Sequence, residues 1–144
     1  MQIPRDRLLY WVAVLLVGYN AFTYGRWALL ELLVRTGTWP SEWLSFDAYG
    51  YVASLSLAQE VVFFVAVALI ALAFYFLLHR TRWALYAYTG YFLASLTDWL
   101  MLVGNPFLGG ELNGYFGITV NLTAISTLFW MNALGVLRAP RVAG

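Results

Sequence analysis

The run VVFFVAVALIALAFYFLL, from Val61 to Leu78, holds 18 residues without a charged side chain. That is enough to cross the hydrocarbon core of a bilayer, and it leaves a soluble fold little room. Three stretches of similar character accompany it: LLYWVAVLLVGYNAFTYG from Leu8 to Gly25, WALYAYTGYFLASLTDWLMLV from Trp83 to Val103, and YFGITVNLTAISTLFWMNALGVL from Tyr115 to Leu137. The sequence predicts an all-α integral membrane protein, a four-transmembrane-helix bundle within one domain spanning residues 1–144. The first span is expected at about 8–25, reaching 34 if the helix continues, and the second at about 52–78. The third is expected at about 83–103, an outer loop at 104–114 and the fourth span at about 115–137.

Composition narrows the chemistry. The chain is 62% hydrophobic and 10% charged, with no Cys and one His, so a thiolate site, an iron–sulfur cluster or a bis-histidine haem within it is excluded. No metal and no cofactor is expected. All eight basic residues are Arg, and no basic patch suggests nucleic acid. Met1 to Arg7 is short and charged and is followed by a full span without an A-x-A-like site, so it reads as the start of a retained first helix rather than a signal peptide.

Residues 26–51 form an amphipathic and aromatic interfacial segment between the first two spans. Glu31 and Arg35 are an i,i+4 pair, which favours helix in RWALLELLVR as a surface element. Trp39, Trp43, Phe46, Tyr49 and Tyr51 suit the headgroup region, and either Ser41 or Asp47 is placed to cap a following helix. Arg5, Arg7, Arg80, Arg82, Arg138 and Arg141 flank one side of the spans and Arg26 and Arg35 the other, so both termini are expected in the cytoplasm. A bacterial cytoplasmic (inner) membrane is the expected location.

Asp98 lies inside the third span, where an ionisable group is a functional candidate that needs a partner. It shares a helical face with Ala87, Gly90 or Tyr91, and Ala94. In the first helix Ala13, Val17, Asn20, Tyr24, Trp27 and Glu31 make one stripe. In the last, Gly114, Gly117, Asn121, Ala124, Leu128, Asn132 and Gly135 make another. Depth along the spans then brings Asn20, Gln59 or Glu60, Asp98 and Asn121 to one level near the outer face, with Tyr24, Thr97 and Thr123 as further members. Glu60 and Asp98 at one level would not both ionise without a cation, so one is expected to hold a proton, with Arg26 the nearest counter-charge.

These residues define the candidate ligand-binding set Asn20, Tyr24, Gln59, Glu60, Asp98 and Asn121. Three functions are weighed on them. The first is a non-catalytic subunit, or a lipid- or small-ligand-binding protein, in contact with membrane lipids, with partner chains or with further copies of itself. The second is a membrane-embedded isomerase or hydratase acting on a lipophilic small molecule, with Glu60 and Asp98 as catalytic acid and base. The third is ion or proton transport by an oligomer. Four spans with acids in the second and third resemble the sterol isomerase and sigma-2 receptor group in architecture, without a shared motif.

Overall fold

The computed structural model of the chain describes residues 5–40, 47–107 and 111–138. Within them it is all-α: α1 Arg5–Arg35, α2 Ala48–Ser54, α3 Leu57–Leu78, α4 Trp83–Leu102 and α5 Glu111–Ala133. Ser41, Trp43, Phe46 and Arg141, read from the sequence as a cap, interfacial rings and a flanking cation, lie outside the described residues. Two helices, α1 and α3, are long and apolar enough to cross a membrane. α4 and α5 have 20 and 23 residues, but Thr, Ser, Asn and Asp side chains dilute their hydropathy.

The helix boundaries follow local chemistry. α1 runs on past Gly25, so Glu31 and Arg35 belong to the same 31-residue helix rather than to a separate surface element. It ends on Gly37 in the left-handed conformation (φ 69°), and α5 ends the same way on Gly135 (φ 71°). In both, the amide beyond the glycine donates back to the preceding turn, Thr38 to Leu33 and Val136 to Met131, each at 2.9 Å. α5 therefore stops at Ala133, short of the expected 137.

The expected second span is divided. Asp47 caps α2 by accepting the Gly50 amide at 2.8 Å, and the chain turns extended at Leu55 (ψ 134°). Ser56 then opens α3 with a capping box: its hydroxyl accepts the Gln59 amide, and the Gln59 side chain accepts the Ser56 amide at 2.7 Å. The serines loosen the helix ladder there without breaking it by themselves: Ser56 supplies the cap of a new helix, and the Ser54 hydroxyl, which donates to the Tyr51 carbonyl at 2.6 Å, accepts from Asn105 Nδ2 at 3.0 Å. Glu60 consequently sits in the first turn of α3, not three turns inside a longer helix.

The four long helices pack in cyclic order: α3 lies along α1 and α4, and α5 along α4 and α1. α1 and α4 face one another across the diagonal, and among the described residues no Cα of one comes within 8 Å of the other. Glycine allows close approach at the edges, where a Cβ on Gly18 or Gly90 would stand 3.3 Å from Phe74 or Leu69 of α3. The inward stripes keep helical period: Ala66, Ile70, Ala73 and Leu77 on α3; Ala84, Tyr88, Tyr91, Ser95 and Asp98 on α4; Asn121, Ala124 and Leu128 on α5. On α4 this face is centred on the tyrosines, one step round from the Ala87 and Ala94 stripe expected from small residues. The outward faces carry Leu8, Trp11, Leu15, Phe22, Leu57, Leu72, Tyr86, Leu93 and Phe129, all exposed.

Two backbone hydrogen bonds tie the opposite end. The Arg138 amide donates to the Arg80 carbonyl at 2.7 Å and the Arg82 amide to the Arg138 carbonyl at 3.0 Å, so the α3–α4 turn and the segment after α5 hold one another. Arg80 adopts the left-handed conformation there (φ 54°) and lays its guanidinium over the Tyr10 ring.

Candidate functional site: a polar column across the diagonal

A helix pair too far apart for backbone contact can be joined only by long side chains, and tyrosine supplies them. Asn20 on α1 donates to the Tyr88 hydroxyl at 2.8 Å, and that hydroxyl donates to Asn121 Oδ1 on α5 at 2.7 Å. Asn20 also donates to the Leu16 carbonyl at 3.2 Å. Tyr88 is fully buried, and both amides are nearly so. One phenol therefore acts as acceptor and donor between three helices, the role that a buried tyrosine hydroxyl requires.

Further along α4 the groups change. Tyr24 on α1 donates to Asp98 Oδ2 at 3.5 Å, and its ring stacks on Phe63 and meets Tyr91 edge-on. Asp98 is buried, as is Ser95, whose hydroxyl donates to the Phe92 carbonyl at 3.0 Å. Tyr91 is fully buried, and its hydroxyl makes no hydrogen bond among the described residues. Asn121 and Ser95 stand close enough to that phenol to act as hydrogen-bonding neighbours and the charge of Asp98 also reaches it, although none completes a bond of full geometry.

Beyond Asp98 stands an ion-pair cluster under α2. Arg35 bonds Glu31 at 2.9 Å and also pairs with Glu60 on α3, so a single guanidinium bridges two carboxylates from two helices. Glu31 is buried although Arg35 is 42% exposed. Tyr51 of α2 packs beside them; burial pushes its phenol up to about 12, with the charges of Asp98 and then Glu31 adding to the effect. Val34, Ala48, Tyr51 and Val52 form the small apolar cluster that seats α2 there, with Trp27, Leu102 and Phe107 against it.

The candidate residues thus divide into separate groups rather than one layer. Asn20 and Asn121 meet through Tyr88, and Tyr24 meets Asp98. Gln59 caps its own helix and reaches the Met101 carbonyl at 2.9 Å. Glu60 is held by Arg35, not by Arg26, whose guanidinium stands over the Trp27 ring. Among the described residues no hydrogen bond joins Glu60 to Asp98, each having its own partner. Thr97 and Thr123 are exposed and bond carbonyls of their own helices, Leu93 and Thr119, at 2.9 and 2.8 Å.

Sequence reasoning missed Tyr88, Ser95 and the bridging role of Arg35, and placed Tyr91 on the Asp98 face only as an alternative to Gly90, not among the candidate site residues. The usable signal was spacing: Tyr88, Tyr91, Ser95 and Asp98 recur at helical period, but tyrosines in an apolar span read as interfacial rings. Among the described residues no group of three or more His, Cys, Asp or Glu is placed to hold a metal ion. No protein-family profile matches the sequence, and no curated protein or solved structure shows significant similarity to it.

Proposed function

We propose that the chain is a four-span integral protein of a bacterial cytoplasmic membrane, with both termini cytoplasmic. In this reading it works as a non-catalytic subunit that meets lipid or partner chains through its outer faces. The observation that supports it is an inversion of polarity: Asn20, Glu31, Ser95, Asp98 and Asn121 are buried, while large apolar side chains on α1, α3, α4 and α5 are exposed. A water-soluble protein would distribute these the other way, since exposed apolar patches of this extent are unfavourable in water. In lipid the same arrangement is favourable, because polar groups turned inward find one another.

The polar groups are largely committed to holding helices together. Tyr88 and both amides are used in one diagonal link, and Glu60 is engaged by Arg35 while Asp98 is approached by Tyr24. Separate partners for Glu60 and Asp98 speak against their exchanging a proton as an acid/base pair.

Native mass spectrometry of the protein drawn gently from its own membrane tests this reading. A stoichiometric partner chain or retained lipid is the expected result. A lone, unliganded monomer would contradict it.

A further inference from the structure

Buried carboxylates are neutralised, paired or bound to a cation, because an isolated charge away from water is too costly to keep. Three acids, Glu31, Glu60 and Asp98, occupy the outer half of the helix ring, and the guanidinium among them is that of Arg35. Arg35 is taken up by Glu31 and Glu60. Among the described residues, the donor that approaches the Asp98 carboxylate is the Tyr24 hydroxyl at 3.5 Å.

The surroundings of Asp98 are oxygen-rich. Tyr91 precedes it by seven residues and Ser95 by three, so all three face the same way along α4, and Tyr24 closes the site from α1. Independently of the carboxylate, the Tyr91 hydroxyl is fully buried and without a hydrogen-bond partner among the described residues. A buried hydroxyl without a full hydrogen bond, on the same helix face as a carboxylate that has no cation beside it, marks a place for a polar guest. One negative charge with neutral hydroxyl oxygens matches a monovalent alkali ion. Calcium and magnesium sites gather more carboxylate or phosphate oxygen than this.

We propose that Asp98, Tyr24, Tyr91 and Ser95 form a binding site for one sodium-like monovalent cation between α1 and α4. This deepens the membrane-protein reading above and rests on it only for the exclusion of water from the helix ring. The cation neutralises Asp98, takes the Tyr91 oxygen as a ligand and holds the outer half of α4 against α1.

The test is thermal unfolding of the purified full chain in detergent, at fixed pH and ionic strength, with sodium, potassium or choline chloride, together with binding of radiolabelled sodium. The proposal expects the midpoint to rise saturably with sodium over choline, and one sodium bound per chain. Asp98→Asn should abolish the sodium response, and Tyr91→Phe should raise the half-saturating concentration severalfold. Coincident curves in sodium and choline would overturn it, including the case in which the midpoint follows pH alone because a proton neutralises Asp98. So would a sodium response that survives in Asp98→Asn, or stronger stabilisation by magnesium or calcium. If Asp98→Asn does not fold, the wild-type titration and Tyr91→Phe decide. A null result here leaves the mass-spectrometric test of the subunit reading untouched, since the two measure different things.

Discussion

At the scale of single residues, Tyr88 joins three helices through one hydroxyl, accepting from Asn20 and donating to Asn121. Tyr88→Phe keeps the ring and removes both bonds, leaving the Asn20 and Asn121 amides short of a partner. Hydrogen bonds of this kind average ~0.6 kcal/mol in a membrane interior, and the stranded amides add to that, so a loss of about 1–3 kcal/mol is expected in reversible unfolding. Thr97→Val and Thr123→Val should stay within ~0.5 kcal/mol of wild type, because those hydroxyls bond their own helices and face outward. The amides and the carboxylate were legible in the sequence because a polar group in an apolar run stands out. The tyrosines were not, since a phenol reads as an interfacial ring until its depth and facing are known. The Arg35 bridge was equally hidden: it depends on α1 continuing straight through Gly25, which spacing alone does not decide.

At the scale of elements, the break between α2 and α3 places Glu60 and the residues around Arg35. Because Ser56 restarts the helix, Glu60 falls in the first turn of α3, within reach of Arg35, and α2 packs against Val34 of α1 and Leu102 at the end of α4. Ser56→Ala removes one half of the capping box and should cost about 0.5–2 kcal/mol. The local measurement is hydrogen exchange: the Gln59 amide, which donates to Ser56, should exchange faster in the variant while amides in the middle of α3 do not. The sequence offered Asp47 and Ser41 as caps and placed the apolar run of α3 correctly to its end at Leu78. It did not expose the break, because Ala48 to Gln59 has no proline, and Gly50 and the two serines are weak signals that do not mark Leu55 as the point of interruption. Serine competition with the helix ladder is weak enough that tertiary seating of Tyr51 and Val52 settles the outcome.

At the scale of the whole molecule, the account depends on four helices crossing the bilayer, although two satisfy length and hydropathy on their own. α4 and α5 fall short because they carry polar side chains, some turned inward, as Ser95, Asp98 and Asn121 are, and others exposed with their hydroxyls on carbonyls of their own helices, as Thr97 and Thr123 are. The chain contains no cysteine, so single cysteines can be introduced one at a time and labelled in intact cells with a membrane-impermeant maleimide. Cysteines at Thr38 and Pro106 should label from outside, and those at Thr81 and Arg138 only after the membrane is opened. Labelling of positions 81 and 106 from the same side would mean that α4 does not cross, and the four-span account would be wrong.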